Sequence, residues 1–377
     1  MIVNIDRNSF LDRIALTANK GFAIAEVPCF ADTFVQGGSS ALRKKFSAET
    51  SCHRKPPKRW WQFFQTPNNI KLQTKNMTKL FYLITLLFLT IYAKADAQTT
   101  DSLLQKIQDI VSTKNAVVGV EIIGNDGKDT VSLNGERHYP LQSVFKFHIA
   151  LTALSQIDEG KFSLDQKIEI LKKDLLPDLY SPLRDDFPDG AVLPVSKIMT
   201  YTVSLSDNVG CDVLLRLIGG PKVVEEYLIK NNIKDVSIKI NEEEQQSDWN
   251  LQFQNWTTPG AANETLAKFF YNKEKLLSEK SYDFIWRLMR ETETGPQRIK
   301  GLLPENTIVA HKTGSSGANK EGLTAAVNDI GIVFLPDGRH FFISVFVTDS
   351  KENAEINERI IADISKAAWD YFTKKSE

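Results

Sequence analysis

The sequence has few of the residues from which proteins build disulfide networks and metal centres. Among its 377 residues there are three cysteines and five histidines. Three cysteines do not form a disulfide framework, and without an H-E-x-x-H or C-x-x-C motif a zinc or iron site is not expected. No G-x-G-x-x-G or P-loop motif occurs either, so nucleotide binding has no support. We therefore expect no metal and no cofactor.

Net charge and apolar runs argue against two further classes of protein. The formal net charge is -1, which gives no overall field to attract nucleic acid. No apolar run reaches the about 20 residues of a membrane-spanning helix. The segment 52–64 (CHRKPPKRWWQFF) mixes basic and aromatic residues, as nucleic-acid-binding segments do. We favour an unstructured or untranslated leader there and expect no nucleic-acid partner.

The segment 77–97 has the three parts of a secretory signal peptide. Met77 and Lys79 form a short charged start, a 13-residue apolar run spans 80–92, and two overlapping A-x-A cleavage patterns follow. Since a signal peptide belongs at the N-terminus, the simplest interpretation is that Met77 is the true start and that residues 1–76 are upstream sequence. A cytoplasmic extension of a membrane-anchored protein is the alternative. We expect a periplasmic protein that keeps no membrane anchor after cleavage.

The remaining residues, 98–377, carry strand patterns at both ends and helical patterns between them. β-Branched runs predict strands, and apolar residues at helical spacing predict helices. Turn signals at Asn125-Asp126-Gly127 and Pro336-Asp337-Gly338 favour hairpins and an antiparallel sheet. The predicted strands are 116–123, 130–133, 307–312, 325–335 and 340–348, and the predicted helices are 99–112, 144–154, 213–217, 265–276 and 352–372.

This order of elements predicts an α/β fold in two lobes. Residues 98–160 and 295–377 would form a five-stranded antiparallel sheet flanked by helices. Residues 161–294 would form an all-helical lobe. A cleft between two lobes is a natural place for a binding site, and we expect the functional residues there.

The first candidate motif, S-x-x-K, lies at the start of a predicted helix. Residues i and i+3 share one helix face, so the Ser143 hydroxyl and the Lys146 amine can meet one turn apart. A neighbouring amine can activate a serine as a nucleophile, and a helix N-terminus favours developing negative charge. The motif alone is weak, because an N-cap serine followed by a surface lysine has the same sequence.

Two further motifs follow along the chain. Ser206-Asp207-Asn208 sets a hydroxyl and an amide side by side, able to pass a proton and to hold an amide substrate, although a helix N-cap has the same residues. Lys312-Thr313-Gly314 follows an apolar segment and suits a strand edge that pairs with a substrate backbone and binds a carboxylate. An ordinary edge strand protected by a lysine is the alternative.

In this order the three motifs resemble those of class A serine β-lactamases and penicillin-binding proteins. The segments DWNLQFQNWTTP and TGPQRIKGLLP resemble the VEB/PER branch of extended-spectrum enzymes. The resemblance covers essentially all of residues 98–377. It implies a monomer that hydrolyses the amide bond of β-lactam antibiotics through a serine acyl-enzyme and gives antibiotic resistance, with cephalosporinase or extended-spectrum activity.

The resemblance also implies roles in the chemical steps. Ser143 is the nucleophile, and its backbone N–H and that of Ser315 stabilise the oxyanion. Lys146, or Glu242 acting through water, removes the hydroxyl proton, and the sequence leaves both open. Ser206 passes a proton to the ring nitrogen.

A second group of residues is expected to bind the substrate. Lys312 and Thr313 bind its carboxylate, and Arg298, 14 residues before Lys312, matches an arginine that strengthens this site in relatives. Asn208 holds the substrate amide. Tyr180 matches the family's aromatic gate at the mouth of the cleft.

The family's deacylating glutamate is expected on an Ω-shaped loop after S-D-N. Glu242 lies 36 residues after Ser206 and is our assignment, with Glu243 and Glu244 as close alternatives. Gln246 takes the place of a residue that holds the hydrolytic water.

One departure from the family pattern concerns this loop. The commonest class A pattern ties it with an Arg–Asp pair, whereas Ile240 and Asn255 occupy the matching positions here. No such salt bridge can form, so the loop must be held in another way.

Two other functions share the three motifs. A DD-peptidase acting on cell-wall peptides would lack the deacylating glutamate, so Glu242 argues against it. A sensor domain would be acylated by a β-lactam and stay acylated. It would keep residues 77–97 as an uncleaved anchor and could signal through residues 1–76.

Overall fold

A five-stranded antiparallel sheet forms the centre of the fold in the computed structural model, which describes residues 100–124 and 127–374. Its strands are β1 (Val117–Gly124), β2 (Thr130–Leu133), β8 (Val309–Ser315), β9 (Val327–Phe334) and β10 (His340–Thr348). They lie in the order β2-β1-β10-β9-β8, and each neighbouring pair is antiparallel. The predicted five-stranded antiparallel sheet is confirmed, with β8 at one edge.

Helices and short strands complete the described residues. The helices are α1 (100–112), α2 (Phe145–Asp158), α3 (Pro182–Asp186), α4 (Val195–Ser204), α5 (Asn208–Ile218), α6 (Pro221–Lys230), α7 (Glu242–Ser247), α8 (Pro259–Tyr271), α9 (Glu279–Arg290) and α10 (Ala354–Lys374). The remaining strands are β3 (Tyr139–Pro140), β4 (Lys167–Leu171), β5 (Gly190–Pro194), β6 (Val236–Ser237) and β7 (Trp256–Thr257).

The sheet separates two hydrophobic cores. Successive side chains of a strand point to opposite faces, and in β10 this places Ile343 and Val345 in one core and Phe342 and Phe346 in the other. The first core contains apolar residues of α1 and α10, such as Ile107. The second contains the apolar residues of α2 and of the helices that follow it. Both faces are therefore covered, as the hydrophobic strands require.

The lobe predicted to be all-helical, 161–294, differs from that expectation in three ways. The short strands β6 and β7 pair within it, with Val236 opposite Thr257. Strands β4 and β5 pair within it as a two-stranded antiparallel sheet, with Lys167 opposite Pro194. Helix α8 packs on the central sheet, where Asn263 Nδ2 donates to the carbonyl of Glu121 at 2.8 Å. The β4–β5 pair was missed because residues 172–189 separate the two strands and β5 has no alternation of buried and exposed residues.

Helix α8 was also predicted in the wrong place, at 265–276. It starts at Pro259, where the Thr258 side chain accepts a hydrogen bond from Ala261 N. It ends before Asn272, which has a left-handed φ of 44° and bonds through its side chain to the backbone of Leu277. Local capping therefore decided both ends.

Three predictions fall outside the described residues. The predicted upstream segment 1–76 and the proposed secretory segment 77–97 precede them, and Asn125 and Asp126 of the first turn signal lie in the gap between the two described ranges. Among the residues that are described, no helix is long and apolar enough to cross a bilayer.

Candidate active site

Ser143 and Lys146 lie at the start of α2. Ser143 is in a 3-10 turn, Gln142–Val144, that leads directly into the helix, and Lys146 is in the first helical turn. Lys146 Nζ donates to Ser143 Oγ at 2.8 Å. The i, i+3 spacing thus brings amine and hydroxyl into contact, which is the arrangement that lets an amine take the proton of a serine.

Lys146 is fully buried and joins residues from three segments of the chain. Besides Ser143, its ammonium donates to the carbonyl of Ser206 at 2.8 Å and to Asn208 Oδ1. It also forms an ion pair with Glu242, at 2.8 Å from Oε1. A buried charge without such partners would be strongly destabilising, so these contacts explain how the lysine is accommodated.

Lys312 lies on β8 and is also fully buried. Its Nζ donates to Ser206 Oγ at 2.9 Å and to the carbonyl of Thr313 at 3.0 Å. Burial, and next the positive charge of Lys146, lowers the pKa of Lys312 well below its usual value. A substrate carboxylate placed beside it would favour its charged form.

The close packing of β8 against the Ser143 turn depends on Gly314. A Cβ atom at this position would lie 2.6 Å from the carbonyl oxygen of Leu141 and 3.3 Å from the backbone nitrogen of Ser143. Only glycine allows such an approach between two backbones. Asn328 Nδ2, on the neighbouring strand, donates to the carbonyl of Leu141 at 3.2 Å and holds the same junction.

Of the three consecutive glutamates, Glu242 is the one that faces this cluster. It is the first residue of α7, and its residue surface is 1% exposed, whereas Glu243 and Glu244 are exposed. Glu244 instead accepts a hydrogen bond from the backbone of Asn241 and caps the helix. The geometry therefore favours Glu242 over both alternatives.

A cavity of about 360 Å³ opens above the two lysines. Its wall includes Ser143, Tyr180, Ser206 and Glu242. The full lining is Gln142, Ser143, Asp178, Tyr180, Ser206, Asn208, Glu242, Gln246, Thr294, Arg298, Thr313, Gly314 and Ser315. Every predicted site residue therefore lines the cavity except Lys146 and Lys312, which are buried and contact lining residues from below.

Arg298 and Ser315 form one side of this cavity. The Arg298 guanidinium donates to Ser315 Oγ at 2.7 Å and to the carbonyl of Gly314 at 3.0 Å, and its Nε pairs with Glu358 at 3.1 Å. The positive group is thus fixed beside the end of β8. Tyr180 is 58% exposed and lies at the cavity edge.

Comparison with known proteins identifies the family. The model of the β-lactamase enzyme family matches residues 102–372. VEB-1 of Pseudomonas aeruginosa, a β-lactamase, is 53% identical over 78% of this chain and 98% of its own length. PER-1 of Pseudomonas aeruginosa, an extended-spectrum β-lactamase, is 41% identical over 77% of this chain and 94% of its own. The chain belongs to the β-lactamase family.

Solved structures agree with this assignment. The crystal structure of the extended-spectrum β-lactamase TLA-1 superimposes with a TM-score of 0.70 and is 49% identical, covering 72% of this chain and 99% of its own. The predicted resemblance to the VEB/PER branch of class A is confirmed. The protein is a β-lactamase, an enzyme that hydrolyses β-lactams.

The β-lactamase holds its Ω loop (residues 240–255) through Asn255 rather than a salt bridge. The Asn255 side chain is fully buried, and its Oδ1 accepts from the backbone N–H of Lys239 at 2.8 Å and of Ile240 at 3.2 Å. Its Nδ2 donates to the carbonyl of Ile240 at 3.0 Å and to Gln245 Oε1 at 3.2 Å. One neutral amide thus fills the place of the missing Arg–Asp pair.

Asp212 fixes the N-terminus of the loop helix α7 and was missed by the sequence analysis. Its two carboxylate oxygens accept from the backbone N–H of Glu242 at 2.8 Å and of Glu243 at 3.0 Å. Negative charge at a helix N-terminus is favourable. A signal was available, because Asp212 follows Asn208 by four residues and therefore shares its helix face.

Other residues at the site carried no sequence signal. The amide side chains of Gln142 and Gln245 are buried next to Ser143 and Glu242, and nothing in their spacing indicates that they would meet. Asp178 and Thr294 line the cavity from loops whose paths depend on the tertiary fold.

Proposed function

We propose that this β-lactamase works through a serine acyl-enzyme formed on Ser143. The observation that carries the proposal is that one buried ammonium, Lys146 Nζ, lies 2.8 Å from both Ser143 Oγ and Glu242 Oε1. A nucleophile, a candidate base and a carboxylate therefore meet at one point beside the cavity. This is the constellation that acylation followed by hydrolysis requires.

In the acylation step Ser143 Oγ attacks the β-lactam carbonyl, and the C–N bond of the ring breaks. Lys146, or Glu242 acting through water, takes the hydroxyl proton. Ser206, whose hydroxyl accepts a hydrogen bond from Lys312, passes a proton to the leaving ring nitrogen. The backbone N–H groups of Ser143 and Ser315 stabilise the oxyanion, an effect worth about 3–4 kcal/mol per donor in other hydrolases.

In the deacylation step Glu242 activates a water molecule that attacks the acyl ester and releases Ser143. The buried position of Glu242 at the cavity wall and its contact with Lys146 support this role. Gln246, exposed beside Glu242 on the loop, lines the same cavity and would hold this water.

For the substrate, we propose that Lys312, Thr313 and Arg298 bind the carboxylate found on penicillins and cephalosporins. Arg298 and Thr313 line one side of the cavity, and Lys312 is buried next to Thr313 on β8. Asn208 would bind the substrate amide and Tyr180 would flank the entrance. The similarity to PER-1 and TLA-1, both extended-spectrum β-lactamases, supports activity on a broad range of cephalosporins and a role in antibiotic resistance.

We also propose that the enzyme is a periplasmic monomer. The secretory pattern at 77–97, with its charged start, short apolar run and A-x-A sites, supports export followed by cleavage. The N-terminal residue of the protein recovered from a periplasmic extract tests export and cleavage, with Asp96 or Gln98 expected, and its molecular mass in solution tests the monomer.

The acyl-enzyme is tested by two substitutions. Ser143→Ala is expected to abolish hydrolysis of a chromogenic cephalosporin, because the nucleophile is lost. Glu242→Gln is expected to be acylated and to retain the adduct, which intact-protein mass spectrometry detects. Glu243→Gln, a change of the exposed neighbour, is the matched control and should turn over normally.

Three results would contradict the proposal. Hydrolysis by Ser143→Ala would remove the nucleophile assignment. A stable adduct on Glu243→Gln but not on Glu242→Gln would shift the deacylating role along the loop. A wild-type protein that stays acylated would indicate the sensor alternative.

A further inference from the structure

The Gln245 amide lies between the two residues assigned to acylation and deacylation. Gln245 is in α7 and 4% exposed. Its Nε2 donates to Glu242 Oε2 at 3.3 Å and to Gln142 Oε1 at 3.2 Å. An amide nitrogen has two protons, so both donors are used. Glu242 is thus contacted on one oxygen by Gln245 and on the other by Lys146.

Gln245 belongs to a buried chain of four amide side chains joined head to tail. On one side, Asn255 Nδ2 donates to Gln245 Oε1 at 3.2 Å. On the other, Gln142 Nε2 donates to Gln252 Oε1 at 2.6 Å, and Gln252 Nε2 donates to the carbonyl of Trp249 at 2.7 Å. All four residues are buried. The two inner amides, Gln245 and Gln142, therefore both donate and accept within the chain, and the two end amides complete their bonds with backbone groups.

Backbone groups at its two ends fix the direction of the chain. Asn255 Oδ1 accepts from two backbone N–H groups, which sets Asn255 Nδ2 toward Gln245. The Trp249 carbonyl can only accept, which sets the Gln252 amide. Reversing Gln245 would place its oxygen against the Glu242 carboxylate and its nitrogen against a donor. Only one orientation satisfies all the bonds, and it presents a donor to Glu242.

The chain also reaches the nucleophile. Gln142 directly precedes Ser143 and has a left-handed φ of 48°, an unfavourable conformation for a non-glycine residue. Its side chain is bonded at both ends within the amide chain. The same network therefore restrains the backbone next to Ser143 and the carboxylate of Glu242.

We propose that Gln245 is a positioning residue that orients the Glu242 carboxylate for deacylation, and that the amide chain links this carboxylate to the turn that carries Ser143. The proposal rests on the role proposed above for Glu242. Gln245 is absent from the cavity lining, so its effect passes through Glu242.

The test is Gln245→Leu, which keeps the side-chain size and removes donor and acceptor. Deacylation is expected to slow about 10- to 100-fold, the effect of losing a hydrogen bond to a charged group, while acylation changes much less. Stopped-flow single turnovers with a chromogenic cephalosporin separate the two rates. A smaller ratio of the deacylation rate to the acylation rate is therefore the expected signature of a positioning role.

A second variant and a control complete the experiment. Gln245→Glu keeps the shape and the acceptor for Asn255 but removes the donor to Glu242, so deacylation should again slow more than acylation. Gln156→Leu removes another buried amide, which donates to the carbonyl of Ile218 away from the cavity, and should leave both rates unchanged.

The outcomes separate this proposal from the proposed function. If Glu242→Gln accumulates acyl-enzyme but Gln245→Leu and Gln245→Glu keep the wild-type deacylation rate, the positioning role is wrong. Equal slowing of acylation and deacylation would also overturn it, since the proposed effect is on deacylation. If Glu242→Gln turns over as fast as the wild type, the assigned role of Glu242 itself fails.

Discussion

At Asp212, hydrogen bonding and burial act in opposite directions on one carboxyl group. Its two backbone donors, from Glu242 and Glu243, favour the charged form. Burial is the larger effect and raises the pKa of Asp212 to about 7. The buried position of Asp212, which lets it fix the start of α7, therefore reduces folding stability once the carboxyl ionises, a compromise that is typical of functional sites.

This compromise predicts a pH dependence of stability. In the unfolded chain an aspartate has a pKa of about 3.9. Between this pH and pH 7 the folded protein keeps a proton that the unfolded chain has released. The free energy of unfolding should therefore fall as the pH rises through this window. Asp212→Asn removes this titration. The decrease in the free energy of unfolding across this pH range should therefore be smaller by at least about 1 kcal/mol, as measured by urea unfolding at several pH values.

The control for this prediction is Asp283→Asn, a change at an exposed position of α9. This variant should retain the wild-type slope. A fall in stability with pH that is just as steep in Asp212→Asn would show that another group is responsible.

At the scale of elements, the sequence predicts what local pattern controls. Strands β2 and β10 occur at 130–133 and 340–348 as predicted, since alternation and a Pro-Asp-Gly turn define them. The convergence of Ser143, Ser206 and Lys312 follows from three motifs. The conformation of segments held by tertiary contacts could not be predicted from local pattern. The main example is the Ω loop, where hydrogen bonds from the loop backbone to Asp212 and Asn255 determine which glutamate faces the site.

The Ω loop supplies a prediction at this scale. Asn255→Ala removes the buried amide that bonds both flanks of the loop and leaves backbone groups of Lys239 and Ile240 without partners. The loss should be about 2–4 kcal/mol in the free energy of unfolding, or should appear as local opening. Hydrogen exchange of the loop amides distinguishes the two. Exposed Asn250→Ala, in the same loop, is the control and should change neither.

At the scale of the whole molecule, the site lies where two differently built parts meet. Ser143 and Lys146 are at the start of a helix surrounded by other helices, and Lys312 is on the edge strand of the sheet. The edge position matters, because β8 has a neighbouring strand on one side only and leaves the other for a substrate backbone. Gly314 allows the two parts to approach closely enough to share the cavity.

The last prediction concerns which part of the chain is sufficient for activity. Within the described residues, both hydrophobic cores are built from residues between Leu103 and Phe372, and the family model matches 102–372. A protein of residues 98–377 should therefore fold alone and open the ring of a chromogenic cephalosporin with the kcat/KM of the full chain. Circular dichroism and steady-state kinetics check this, with Ser143→Ala in the same protein as the inactive control. A folded but inactive 98–377 protein, beside an active full chain, would show that residues 1–97 contribute to the site.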